Sequence, residues 1–321
     1  MTVWRLPLSV FSPGGRRGRL TILIFHRVLP QHDPLNPDEP SAQEFERRMQ
    51  WVRAWFNVLP LSDAAQRLAD GTLPPRALTI TFDDGYADNR EVAAPILHRL
   101  GLMATFFIAT GYLGGGCMWN DRVIEAVRSC DASRLDLSVL GLGSFALDDT
   151  AGRRHAATEV LKAIKHLEPP ARQTATDAVV HAAGGRPAPA LMMSVDQLRE
   201  LRMLGMHVGA HTITHPILAR TTEAEALHEI AAGKEQLEAL MGEPVNLFAY
   251  PNGVPGADYL PEHVRMVREV GFNAAVSTAW GAASAASDRF QLPRFTPWDR
   301  SRWRFGVRLL ANLSRPAAAL A

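Results

Sequence analysis

Two short segments carry groups that can do chemistry together. Thr81-Phe82-Asp83-Asp84-Gly85 puts two adjacent carboxylates at the end of an apolar run. His211-Thr212-Ile213-Thr214-His215 puts two imidazoles four residues apart just after another. One carboxylate and two histidines make a ligand set for a divalent metal, and the second carboxylate is then spare to handle protons. That toolkit serves metal-assisted hydrolysis, in which the metal acidifies water and polarises a carbonyl. If the histidine segment is helical, both rings share one face. Singly, each segment has a plainer reading: a capped turn for Asp-Asp-Gly, and two ordinary histidines among 11. Their joint position at predicted strand ends outweighs those readings.

The elements that must position these groups alternate along the chain. Short apolar runs read as strands over Leu20–Phe25, Asn57–Leu59, Leu78–Phe82, Ala104–Ile108, His207–Ala210, Asn246–Tyr250, Asn273–Ser277 and Phe290–Leu292. Between them lie helix signals. Ser41-Ala42-Gln43-Glu44, Ser194-Val195-Asp196-Gln197 and Thr222-Glu223-Ala224-Glu225 are capping boxes. The first opens a helix with Phe45, Met49, Val52 and Phe56 on one face. The second helix stops at Gly205, and Pro261 and Gly271 bracket a fourth. Continuous apolar strands alternating with helices predict a mostly parallel α/β sheet, open and doubly wound or closed as a barrel. Asp83, Asp84, His211, the Pro251-Asn252-Gly253 turn and His26 all follow strands, at the ends where barrel enzymes assemble their sites. From about Tyr112 to Ala190 no strand is evident and helical patterns dominate over 121–128, 151–166 and 171–183. This stretch is too long for a simple connection and reads as a helical insertion, a lid, a substrate wall or a packing embellishment.

Composition bounds the classes. The 321 residues are 47% hydrophobic, enough for a substantial core, and a formal charge of +1 offers no global field for nucleic acid. Cys117 and Cys130 match neither a zinc-cysteine spacing nor a disulfide scaffold. Leu6–Phe11 is broken by Pro7 and Ser9, and Leu20–Phe25 is far too short to span a bilayer. With no signal peptide or transmembrane segment read, the expected location is cytoplasmic or peripheral at the inner membrane face.

The conjunction of motifs resembles the polysaccharide deacetylases, the carbohydrate esterase group that shares a domain with the nodulation chitooligosaccharide deacetylases. Thr81–Gly85 matches their Thr-Phe-Asp-Asp-Gly, His211–His215 their His-(Ser/Thr)-x-x-His, and Tyr250-Pro251-Asn252-Gly253 their aromatic-Pro-x-Gly. The resemblance spans about Leu20 to Phe295. It implies a distorted (β/α) barrel of about seven parallel strands with a helical insertion, and a divalent metal. Zinc is the first expectation, with Co2+, Ni2+ and Fe2+ as alternatives. The expected organisation is an N-terminal arm (1–19), a barrel (20–111 and 191–295), the insertion (112–190) and a basic C-terminal helix (296–321).

Roles carried over from the resemblance give Asp84, His211 and His215 to the metal and Asp83 to the general base. The Tyr250, Pro251, Asn252 and Gly253 turn becomes the substrate-binding segment, with a backbone N–H, that of Asn252, as oxyanion donor. Two departures follow. Ala249 stands where many members carry an Arg that orients the base. After His215, only His228 and His263 remain, both in predicted helices, so no late His fits the general acid. A subgroup similar to the poly-N-acetylglucosamine deacetylases carries that His on the first strand, and Leu23-Ile24-Phe25-His26-Arg27-Val28 fits it. His26 is therefore the expected acid, and Arg294, at the end of the last strand, the expected partner that keeps Asp83 ionised.

The implied activity is metal-dependent removal of N-acetyl groups from an N-acetylated polysaccharide or its lipid-linked precursor, with acetate released. An O-acetyl esterase and a glycan-binding homologue without catalysis are the alternatives. The expected partner is an N-acetylated glycan rather than nucleic acid. Tyr86, Trp119, Trp280 and Trp298 are candidates to stack on sugar rings. Asp299 and Arg300–Arg315 form a basic segment with Trp303, Val307 and Leu310 on one helical face. Such a helix either packs on the barrel or makes peripheral membrane contact.

Overall fold

A computed structural model describes residues 3–315 and 320–321. The strands are β1 (Leu20–Phe25), β2 (Asn57–Val58), β3 (Ala77–Phe82), β4 (Thr105–Ile108), β5 (Arg134–Asp136), β6 (Ser144–Ala146), β7 (His207–Ala210), β8 (Leu247–Ala249), β9 (Ala274–Trp280) and β10 (Leu292–Arg294). The helices are α1 (Arg5–Phe11), α2 (Ala42–Trp55), α3 (Leu61–Asp70), α4 (Ala94–Arg99), α5 (Trp119–Ser129), α6 (Thr150–Ile164), α7 (Pro169–Ala182), α8 (Val195–Met203), α9 (Glu223–Met241), α10 (Pro261–Glu269) and α11 (Arg302–Ser314).

The chain divides into two compact units. The first comprises Met1–Gln31, Asp38–Leu113 and Met193–Ala321. In it, seven parallel strands run in the order β1-β3-β4-β7-β8-β9-β10, and β2 shares an edge of β3 with β4. The ends nearly close, because Ile24 donates to the Phe295 carbonyl (3.1 Å) and Phe295 to that of Ile22 (2.7 Å). This is the distorted (β/α) barrel. Every residue of β1 and β3 is buried, as expected of parallel strands covered on both faces. One apolar cluster joins outward strand residues Phe25, Phe82 and Phe106 to Phe45, Met49 and Val52 of α2. A second joins Leu20, Ile22, Val276 and Leu292 to Leu61, Ala65 and Leu68 of α3.

All three capping boxes form, and each starts the helix expected of it. Gly205 stops the second with φ of 80°. The arm contains a helix the sequence does not advertise. Pro7 sits in the first turn of α1, where a missing N–H costs nothing, and Leu8 is buried. In α11, Phe305, Leu309 and Leu313 face the core, whereas Trp303 and Val307 face outward.

The second unit comprises His32–Pro37 and Gly114–Met192. Helices α5, α6 and α7 enclose a core of their own that includes Val123, Val127, Ala156, Val160 and Val179. It also holds an antiparallel hairpin, β5 with β6. This corrects the reading of 112–190 as strandless. The strands are three residues each and mostly exposed, too short for an apolar run to register.

Candidate metal centre and active site

Asp83 and Asp84 leave the end of β3, His211 the end of β7, Asn252 follows β8, and Arg294 ends β10. All project at one mouth of the barrel. Among the described residues, five other than glycine have positive φ, and four are here: Asp84 (77°), Thr212 (65°), His215 (55°) and Asn252 (57°). Strain of this kind persists where surrounding contacts over-determine the backbone, and it gathers at functional sites. The histidine segment is thus a loop rather than a helix. The strained turns at Thr212 and His215 bring the rings together where helical geometry would otherwise have to, with ring centroids 4.7 Å apart.

Asp84, His211 and His215 offer ligand atoms within 4.8 Å of one another. Asp84 Oδ1 is buried without a hydrogen-bond partner and lies 3.4 Å from Nε2 of both histidines. His211 Nδ1 is 2.7 Å from the Ala249 carbonyl, which can only accept, so that nitrogen carries the proton. Nε2 is then the atom that faces Asp84; burial works against a charge on His211, but the carboxylates of Asp84 and Asp83 outweigh it and hold the imidazole above its usual range. Burial pushes the His215 imidazole down to about 4, so it is neutral near pH 7. Three ligand atoms converging on one point fit a divalent cation, which would displace any proton on Nε2, and the Nδ1 bond of His211 to a carbonyl is how metal-binding imidazoles are oriented.

Asp83 differs in kind. Both its oxygens accept from Arg294, Nη1 to Oδ1 and Nη2 to Oδ2, each at 2.7 Å. Arg294 also donates from Nε to the Ser277 carbonyl (2.8 Å) and from Nη1 to the Thr81 hydroxyl (3.3 Å). Burial works against the charge on Asp83, but the guanidinium outweighs it and holds the carboxyl below its usual range. Arg294 thus reaches Asp83 from the end of β10.

His26 follows β1, exposed at the mouth, and its positive charge, when present, acts on Asp83, Asp84 and His215. It lines a cavity with Glu39, Arg48 and Trp298. Burial raises the Glu39 carboxyl above its usual range, against the pull of His26. Asn89 donates to the His26 carbonyl (2.8 Å), and Asp88 accepts from Arg27 Nε (2.8 Å) and the Val28 N–H (3.2 Å). None of Glu39, Asp88 and Asn89 was expected from sequence.

In the turn after β8, the Tyr250 N–H goes to Val276 O (3.2 Å) and that of Gly253 to Pro251 O (2.6 Å). Thr278 fastens the carbonyls of Asn252, through its hydroxyl, and of Gly253, through its N–H, both at 2.8 Å. Among the described residues no group accepts from the Asn252 N–H, which leaves it as the turn's available donor. Tyr250 itself is a correction. Its ring is fully buried, stacked on Tyr259 at 3.9 Å, and its hydroxyl donates to Phe290 O (3.0 Å), so the side chain packs and cannot meet a sugar. Tyr86 is likewise buried, while Trp280 and Trp298 are partly exposed with rings 5.3 Å apart.

Sequence reasoning also missed how the histidine loop is held. Glu229 of α9 accepts from the N–H groups of Ile213 and Thr214 (2.8 Å each) and from the Thr214 hydroxyl (2.6 Å). One turn on, Gly233 lets the helix touch the loop, since a Cβ there would sit 2.9 Å from the Thr212 carbonyl carbon. A glycine inside a helical pattern was the available signal.

Comparison with known proteins places the chain in a family. The family pattern described as polysaccharide deacetylase matches residues 70–132 and 145–275. The chain belongs to the polysaccharide deacetylase family, hydrolases that take acetyl groups from carbohydrate. YxkH of Bacillus subtilis strain 168, whose name places it in the same family, is 22% identical over 278 residues, covering 86% of this chain and 70% of that one. The deacetylase PplD of Streptococcus pyogenes, solved in complex with acetate, is similar in fold (TM-score 0.60, 18% identity, 92% of this chain and 99% of that one). So is IcaB from Ammonifex degensii (TM-score 0.58, 18% identity, 92% and 97%). Among the described residues no helix is long and apolar enough to cross a membrane.

Proposed function

We propose that this chain is a metal-dependent N-deacetylase of an N-acetylated polysaccharide or its lipid-linked precursor. The observation that carries the reading is the unlike environment of two adjacent carboxylates. Asp84 Oδ1 has no hydrogen-bond partner and lies 3.4 Å from Nε2 of two histidines, whereas both oxygens of Asp83 rest on one guanidinium.

A divalent ion held by Asp84, His211 and His215, zinc first from this donor set, would supply the Lewis acidity that acidifies water and polarises the acetyl carbonyl. The protein's own groups do the rest. Asp83 takes the proton from the attacking water. Its two bonds to Arg294 use only part of its acceptor capacity, fix its position and keep it ionised. The Asn252 N–H donates to the oxyanion as it develops. His26 gives a proton to the departing nitrogen, the nitrogen stays on the sugar as an amine, and acetate leaves.

The test is acetate release from a panel of N- and O-acetylated oligosaccharides, with and without chelator. We expect amide cleavage that chelation abolishes, and His26→Ala to lower it by about a hundredfold or more. One observation favours an O-acetyl esterase instead: His26 is the most exposed of the site residues, and an ester leaving group needs little help from an acid. Ester cleavage that His26→Ala leaves intact, with no amide cleavage by the parent, selects that reading.

A further inference from the structure

Apart from the site, the chain's most uneven feature is the face built by α1 and α11. Residues 1–19 and 300–321 hold nine of the 34 Lys and Arg and none of the 33 Asp and Glu, which leaves 25 basic against 33 acidic residues elsewhere. A near-neutral total thus hides a strongly basic pair of segments. The fold brings them together. Gly306 of α11 admits the Trp4 ring, Trp303 lies 4.9 Å from Trp4, and Arg19 Nη1 donates to the Arg315 carbonyl at 2.5 Å.

The same face is apolar on the outside. Val3, Leu6 and Val10 are 72%, 76% and 69% exposed, Phe11 44%, Trp303 66% and Val307 44%. Each helix already has a buried side, through Leu8 of α1 and the Trp4 that caps it, and through Phe305, Leu309 and Leu313 of α11. The core has therefore no need of the outward residues.

We propose that the α1–α11 face seats on an anionic membrane surface. Apolar side chains and a tryptophan entering the headgroup layer, flanked by exposed arginines such as Arg16, Arg17 and Arg304, are what an interfacial helix pair requires, although Arg300 and Arg308 are paired with Glu44 and Asp299. The membrane is favoured over a soluble polyanion because arginines alone would serve the polyanion, and the exposed Leu, Val, Phe and Trp would gain nothing. It is favoured over a second copy of the chain because arginine-rich faces would repel in a symmetric pair. The proposal stands on surface chemistry alone and does not require that the site deacetylate.

The experiment is cosedimentation of the full chain with vesicles of phosphatidylcholine alone, or with about a third phosphatidylglycerol. We expect binding about tenfold or more tighter on the anionic vesicles, and lost at high salt. Leu6→Glu/Val10→Glu should lower it about tenfold. Arg17→Gln/Arg304→Gln, on exposed positions outside the core, should lower it at unchanged thermal midpoint and unchanged cleavage of a soluble substrate. Equal binding to both vesicles, or to neither, overturns the proposal. So does dextran sulfate binding of equal strength that Leu6→Glu/Val10→Glu leaves intact. So does a concentration-dependent dimer that this double variant dissociates.

Discussion

Asp83 and Asp84 are neighbours in one loop, equally buried and chemically identical, yet their surroundings have little in common. Asp83 has its charge answered within the protein: two short bonds to a fully buried arginine. Asp84 has Oδ1 unanswered, facing Nε2 of two imidazoles. The first arrangement is complete as it stands. The second becomes complete only with a cation. The positive φ of Asp84 takes the backbone out of strand geometry, in which two successive side chains point to opposite faces, where both are to reach one mouth.

Substitutions at these two positions test the contrast most directly. Asp84→Asn should abolish metal retention and acetate release together, since it removes the only anionic ligand. Zinc should no longer raise the melting temperature, as it does when an ion binds the folded state alone. Asp83→Asn is expected to lower turnover about a thousandfold while metal content and the zinc-induced rise stay as in the parent. If Asp83→Asn also lost its metal, the two carboxylates would be co-ligands and the contrast would fail. Metal analysis on the purified variants decides the point before any assay.

Arg294 sharpens the comparison from the other side. Arg294→Met leaves Asp83 as a buried charge without its counter-ion, so the folded state should lose about 3–5 kcal/mol. Turnover should fall about a hundredfold, because the base is no longer fixed. Arg294→Lys keeps the charge but not the fork and should recover more stability than activity. Denaturant titration beside turnover separates the two. Double substitution at Asp83 and Arg294 should cost less stability than Arg294→Met alone, because no unpaired charge remains.

The sites differ in how far they could be read in advance. Asp83, Asp84, His211 and His215 lie in contiguous motifs at strand ends, and parallel strands whose ends share one mouth bring such residues together whatever the exact closure. Arg294 and His26 fall outside the segments matched by the family pattern, and only their place after the last and first strands points to them. The loop conformation around His211 was not readable, because a four-residue spacing is equally compatible with a helix. Nor was the packing of Tyr250, whose burial depends on Tyr259 and Phe290, distant in sequence. The hairpin β5–β6 lacks the length or burial to leave a pattern. Glu229 looks like any surface glutamate on a helix until its partners, sixteen residues earlier in the chain, are in place.

Glu229 also supplies the finest test of the contrast, because it bears on the Asp84 half alone. Its carboxylate holds two backbone N–H groups of the histidine loop and touches neither the ligand atoms nor Asp83. Glu229→Ala should weaken metal binding about tenfold, as loss of an outer partner commonly does, and leave turnover near that of the parent once metal is in excess. Gly233→Ala should act in the same direction through a different cause, a Cβ pressed against the Thr212 carbonyl carbon. A competition titration with a chromogenic chelator reads the affinity, and turnover at saturating metal reads the base. A fall in saturated turnover as large as the fall in affinity would mean that the loop also positions Asp83. The two carboxylates would then be one mechanical unit rather than two independently supported halves.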